Sequence, residues 1–227
     1  KVSQHFDKIL LKKQHREFVT HTGELNGKLL TVISTGIGTD NIDIVLNELD
    51  ALVNIDFETK TVKEKLTSLD IIRIGTSGII RDDIELDSFL VSKHAIGIDN
   101  LMHFYKNYST VENSGLRKEF NKRVQSNINF YCSSASPKWL SIIPKDIFTE
   151  GITLTCSGFY APQLRNIRLS AQFDDLFTDL DHFSFEGLKV TNMEMETAGI
   201  YGLAQMLGHQ AISFNALLAS RRTGAFS

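Results

Sequence analysis

The chain has 227 residues, with 24 Lys+Arg against 27 Asp+Glu for a formal charge of −3 and 42% hydrophobic residues, a composition that supports a sizeable core and excludes a mainly disordered chain. No apolar run approaches the roughly 20 residues that a bilayer span needs, and the N-terminal KVSQHFDKILLKKQHREF is too charged for a secretory leader. With no concentrated basic block to neutralise phosphates, nucleic acid is excluded as the main partner, and the expectation is a cytoplasmic protein acting on small molecules, away from membranes.

In chain order, residues 28–34 (KLLTVIS) predict a strand, and Thr35-Gly36-Ile37-Gly38-Thr39-Asp40 a glycine-bearing turn. Apolar residues at 42, 45, 46, 49, 52 and 53 then follow a helical period, with Asp40 or Asn41 as its cap. Residues 54–69 are polar and predict a surface excursion. Ile71-Ile72-Arg73-Ile74 predicts a buried strand ending in Gly75-Thr76-Ser77-Gly78. Further strands are expected at 88–92, 151–157 and 211–218, and a helix from Met193 to Gly208 through Met195, Ala198, Leu203, Met206 and Leu207. Residues 103–149 carry few clean signals. Alternating strands and helices define an α/β class; without repeats or a linker, residues 1–227 read as one domain. Cys132 and Cys156 form no CxxC pair and, with seven scattered histidines, no zinc pattern, so two buried thiols and no metal are expected. His94 and His103 read as ordinary core or surface histidines.

Two loops have the chemistry to hold an anion. STGIG (34–38) can turn backbone N–H groups and a helix N-terminus toward negative charge, although a tight strand-to-helix turn needs the same glycines. Arg73 is a guanidinium in an apolar strand beside Thr76 and two glycines, and it requires a partner: a buried carboxylate or a phosphate satisfies the same planar fork.

Taken together, HREF (15–18), STGIG (34–38), RIGTSG (73–78), FYAPQLR (159–165) and NMEMETAGIYGLA (192–204) resemble the nucleoside phosphorylase family, and within it the uridine phosphorylases most closely. The resemblance implies a three-layer αβα fold with a central mixed sheet. It also implies phosphorolysis of the N-glycosidic bond of a pyrimidine nucleoside such as uridine, giving free base and ribose 1-phosphate. Inorganic phosphate is then a co-substrate and no other cofactor is expected. Family members assemble as homodimers or trimers of dimers with shared active sites.

By the same resemblance, phosphate falls to Arg73, Gly75 and Thr76, joined by Arg16 from a neighbouring subunit. Thr76, Met195 and Glu196 hold the ribose. Ser77, Gly78, Phe159, Gln163, Arg165 and Arg222 hold the base, with Arg73, Gln163, Arg165 and Glu196 carrying catalysis. Gln163 offers both an acceptor and donors to the uracil imide edge, Arg165 donates to a carbonyl, and Phe159 supplies an aromatic contact. Read as one helix, Glu194 and Glu196 point about 200° apart, so one can reach the site while the other caps or faces elsewhere, and the resemblance makes Glu196 the ribose ligand. An interface monovalent ion near Glu17 is left open. The family also has a Gly-Asp-Pro segment with an arginine before the point corresponding to Lys1 and a helix after Ser227. The expectation is therefore a domain lacking both pieces within a longer protein. Purine nucleoside phosphorylase, a nucleosidase that uses water, and a non-catalytic nucleoside-binding protein on the same fold are the competing readings.

Overall fold

The computed structural model describes residues 1–124, 128–173 and 176–227, which form two compact units, Lys1–Ile37 and Gly38–Ser227. The first unit is a three-stranded antiparallel meander of β1 (Lys8–His15), β2 (Phe18–Leu25) and β3 (Lys28–Ser34). Of these only β3 is anticipated by the sequence. β1 (KILLKKQH) is exposed along its whole length, so no alternation announces it. The turn joining β1 to β2 places Arg16 at φ 53°, where asparagine or glycine is the usual signal.

The second unit opens with α1 (Thr39–Asn54), whose Ile42, Val45 and Leu46 are buried as their spacing predicts, whereas Leu52 is exposed. Its N-cap is Gly38, which has no side chain of its own to cap it; Asp40 and Asn41 lie inside the first turn, so the predicted cap is corrected. The polar excursion after it contains a small hairpin of β4 (Ile55–Asp56) and β5 (Thr61–Val62). β6 (Asp70–Ile79) does not end at Gly75 but runs through the glycine segment, because β12 pairs with it over its whole length. Then come β7 (Phe89–Gly97), α2 (Ser114–Arg123), β8 (Tyr131–Ser134), α3 (Pro137–Leu140) and β9 (Phe148–Thr155). The chain continues through α4 (Leu176–His182), β10 (Ser184–Phe185), β11 (Leu188–Glu194), α5 (Thr197–Leu207) and β12 (Gln210–Ser220). The segment read as one helix from Met193 is thus the end of a strand, a short link and a helix beginning at Thr197.

The sheet is mixed and its central strands pair in a ring. β6 lies parallel to β12, β12 antiparallel to β7, β7 parallel to β9, β9 parallel to β11, and β11 antiparallel to β6. β8 extends β7 and β10 extends β11. α5 packs on β7, β8, β9 and β12 with α1 against it. On the other side α2 and α4 bury Leu116, Phe120, Leu176 and Leu180 against Ile96, Ile152, Leu154 and Val190. This is the expected αβα layering around a mixed sheet. Cys132 and Cys156 are buried free thiols whose pKa values burial pushes up, as befits inert core residues. No described helix is long and apolar enough to cross a membrane.

Candidate active site

Arg73 points into the second unit from the middle of β6, its side chain 12% exposed. Gly75 makes that pose possible: a Cβ there would lie 2.5–2.7 Å from the guanidinium atoms, so only glycine lets the side chain lie back along its own strand. Nη2 reaches Glu196 at 2.6 Å and Glu194 at 3.1 Å, and Nη1 donates to Asn215 Oδ1 at 2.9 Å and Ser213 Oγ at 3.3 Å. Carboxylates therefore satisfy the guanidinium in this structure. Burial by itself lowers the Arg73 pKa, but Glu194 and Glu196 outweigh it and the net shift is upward, so the cation is permanent.

The two glutamates converge on Arg73, which corrects the expectation that they diverge. That expectation assumed a helix, but Glu194 ends β11 and Glu196 is the N-cap residue of α5. Glu194 accepts from the Glu196 and Thr197 backbone N–H groups at 3.0 and 2.9 Å, from Thr197 Oγ1 at 2.9 Å and from Thr155 Oγ1 at 2.6 Å. One carboxylate thereby holds the first turn of α5 and fixes the link that presents Met195 and Glu196. Glu196 Oε1 also accepts the Gly38 N–H at 2.8 Å, so the glycine turn at the α1 N-terminus does receive an anion, supplied by the protein itself. Burial and then the Glu194 charge raise the Glu196 pKa above the usual carboxylate range, against the pull of Arg73 and the Gly38 N–H.

Further along β6, Thr76 is exposed in phase with Ile72 and Ile74, while Ser77 and Gly78 are buried. A Cβ on Gly78 would come within 2.7 Å of Arg221 Nε, so this glycine makes room for a second guanidinium. Arg221 Nη2 donates to Gln163 Oε1, and its buried Nε has no hydrogen-bond partner among the described residues. Gln163 is 2% exposed and closes the short helical turn Ala161–Gln163. Tyr160 O pins this turn by accepting the Gln163 and Arg165 N–H groups at 2.9 and 3.0 Å. Arg165 stacks on Phe159, with Cζ 3.4 Å from the ring centroid, and burial lowers its pKa. Gln163, Arg165, Asn166, Ser220 and Arg221 line a cleft of about 380 Å³, and among the described residues no carboxylate lines it.

The structure therefore brings together Arg73 with Glu196 over Gly75, and Phe159 with Gln163 and Arg165 beside Gly78. Met195 lies half-buried between the two glutamates. It does not bring Arg222 to the base corner. Arg222 Nε donates to Ile80 O at 2.6 Å and Nη2 pairs with Asp181, and the adjacent Arg221 takes the place on Gln163. The neighbouring arginines of β12's exit leave the sheet in different directions, and Gly78 admits only the first. Arg16 belongs to the other unit, exposed at the tip of the β1–β2 hairpin with Glu17. His94 is a core histidine bonded to Ser134 Oγ at 2.8 Å, and His103 is exposed. No metal-ligating cluster occurs among the described residues.

A family model described as phosphorylase superfamily matches residues 1–224, and the chain belongs to that superfamily. The chain is similar to a Trypanosoma brucei nucleoside phosphorylase whose crystal structure shows uridine phosphorylase activity, with TM-score 0.85 and 29% identity over all of this chain and 83% of that one. It is 28% identical over 226 residues to the uridine phosphorylase of Thermococcus kodakarensis, covering 100% of this chain and 70% of the relative. It is also 27% identical over 207 residues to a DeoD-type purine nucleoside phosphorylase of Caldanaerobacter subterraneus, covering 89% and 69%.

Proposed function

We propose that this protein is a pentosyltransferase that cleaves uridine with inorganic phosphate, giving uracil and ribose 1-phosphate, with phosphate as co-substrate and no further cofactor. The observation that carries this reading is the base corner. A buried amide and two guanidiniums border a cleft that no carboxylate of the described residues lines, and this donor-rich edge suits the carbonyls of a pyrimidine better than a purine ring nitrogen held by an acid.

In this reading Glu196 exchanges its bond to Arg73 for the ribose hydroxyls, and Arg73, freed at the lip beside Gly75 and Thr76, takes the phosphate. Met195 packs on the sugar. As the glycosidic bond lengthens, positive charge grows on the pentose and negative charge on the leaving base. Gln163 and Arg165 meet the charge on the base, and the orphan Arg221 Nε is a further donor for the same edge. Bond cleavage is driven by placed dipoles and cations, without a covalent enzyme intermediate. The exposed Arg16 is offered to the phosphate of a neighbouring subunit in a homodimer or a trimer of dimers, and the enzyme serves nucleoside salvage in the cytoplasm.

The test is product formation from uridine, thymidine, inosine and methylthioadenosine with and without phosphate. Phosphate-dependent release of uracil is expected. Release without phosphate would point to a nucleosidase, preference for inosine to a purine enzyme, and binding without turnover to a silent receptor; each overturns the reading.

A further inference from the structure

The interior of the strand ring holds a continuous line of polar side chains, one from each strand in turn. Arg73 on β6 donates from Nη1 to Asn215 Oδ1 on β12 at 2.9 Å, and Asn215 Nδ2 donates to Ser92 Oγ on β7 at 3.1 Å. Ser92 Oγ lies 2.5 Å from Thr153 Oγ1 on β9, which donates to Asn192 Oδ1 on β11 at 2.9 Å. Asn192 Nδ2 then donates to Ser77 Oγ at 2.9 Å, returning to β6 four residues beyond the start. Ser92, Thr153 and Asn192 are 0% exposed and Asn215 is 1% exposed.

The line has only one direction. Arg73 is a donor and nothing else, so the Asn215 oxygen must face it and the Asn215 amide nitrogen must face Ser92. Asn192 Oδ1 accepts from both Thr153 Oγ1 and Thr191 Oγ1 at 2.9 Å, and with its own hydrogen so committed Thr153 accepts that of Ser92. Asn192 is therefore held with its oxygen toward Thr153 and Thr191 and its nitrogen toward Ser77. Ser77 Oγ ends as an acceptor from Asn192, which leaves its hydroxyl hydrogen to donate outward beside Gly78. Small barrel interiors are usually filled by apolar side chains, and a buried polar line is costly unless every member is satisfied. Here none of its members is among the unpartnered buried atoms.

We propose that Asn215, Ser92, Thr153 and Asn192 are positioning residues that tie the Ser77 hydroxyl to the charge of Arg73 and hold it as a donor to a carbonyl oxygen of the departing pyrimidine. The inference rests on the proposed phosphorolysis and adds to it a link between the phosphate and base ends of the site. No proton leaves its oxygen or nitrogen. The fixed cation orients a row of dipoles, and aligned hydrogen bonds polarise one another.

The decisive comparison uses Thr153→Val, which removes the hydroxyl at nearly constant shape, assayed on uridine and on 5-fluorouridine with phosphate. Fluorine withdraws electrons from the base, so that substrate depends less on help to its leaving group. We expect kcat on uridine to fall about tenfold, the scale of one hydrogen bond, with a clearly smaller fall on 5-fluorouridine and an unchanged KM for phosphate. Thr153→Ser should restore kcat, and Thr153→Val should add nothing in a Ser77→Ala background. Equal losses on both nucleosides, additivity with Ser77→Ala, or no loss would each overturn the relay while leaving the phosphorolysis standing. Should Thr153→Val fail to fold, Ser92→Ala breaks the same line one link earlier and is read by the same outcomes. A wild-type chain inactive on both nucleosides would remove the functional reading and the relay together.

Discussion

The Arg73 corner and the Phe159–Arg165 corner each rest on a guanidinium that only a glycine admits, yet they are built by opposite means. Around Arg73 every contact comes from a strand or from the first turn of α5, and two carboxylates and two side-chain oxygens satisfy the cation inside the protein. Around Phe159 the residues sit on a turn, the ring is 49% exposed, and Arg165 is held by stacking on it. The first corner is preorganised and its parts carry the fold; in the second, Gln163 is buried against Arg221, but Phe159 and Arg165 stand open and are spared by the fold. Loss of a residue in the first should thus cost stability and activity together, and loss of Phe159 or Arg165 in the second activity alone.

The largest expected effect follows from Arg73→Ala. It leaves Glu194 and Glu196 facing each other without their cation, and breaking a buried pair in this way costs about 3–5 kcal/mol of stability. Uridine phosphorolysis should fall by about 10³ or more, since both the phosphate ligand and the pose of Glu196 are lost. Urea unfolding and saturating-phosphate kinetics check the two halves; an unchanged response to phosphate would take Arg73 out of the site.

Arg165→Ala should lower kcat by about 10²–10³, the usual effect of deleting one transition-state donor. Its stacking on an exposed ring is worth only about 0.5–1 kcal/mol, so the melting temperature should scarcely move. If stability falls as it does in Arg73→Ala, the contrast between a structural and a dispensable corner is wrong.

The difference between the corners also decides what could be read from sequence. Long apolar runs and a 3.6-residue period revealed β3, β6, β7, β9, β12, α1 and the body of α5, although β6, expected to be buried, exposes Ile72 and Ile74. The convergence of Glu194 and Glu196 was hidden because β11, buried on both faces, runs on into α5 in one apolar pattern, and the helical reading turned the two carboxylates apart. Arg221 and Arg222 are equivalent in sequence; the space over Gly78 separates them, and that space exists only once β6 and β12 are paired. The polar residues Ser92, Thr153, Asn192 and Asn215 would read as the solvent half of alternating strands. Closure of the strands into a ring puts them inside, and ring closure is a non-local property that no local period reports. The β1–β2 hairpin lacked both an apolar face and a favoured turn pair.

An acid limb in kcat/KM sharpens the comparison further. Glu196 must be ionised to accept ribose hydroxyls, and its pKa is raised by burial and by Glu194. Activity should therefore fail on acidification sooner than an ordinary carboxylate would require. Glu194→Gln removes the neighbouring charge, so the Glu196 pKa should drop and the limb should move to lower pH. A limb that stays in place would show that another group sets it.

The smallest effect separates stability from chemistry. His94 and His209 are both buried, and burial is the main reason that their pKa values lie below 6.5; Glu186 and Asp50 respectively pull the other way. The unfolded chain then binds more protons than the folded one as pH falls through about 6.5. Their contribution to stability is complete above that point and declines progressively below it. Neither histidine belongs to the Arg73 or the Phe159–Arg165 corner: His94 bonds Ser134, and His209 Nδ1 accepts the Leu69 N–H at 3.2 Å. Replacing His209 with Gln should accordingly flatten the urea midpoint against pH between about 7 and 5 while leaving the acid limb of kcat/KM where Glu196 puts it. If the limb moved with His209, the pH dependence of activity would belong to the scaffold, and the two corners would lose their separate electrostatic identities.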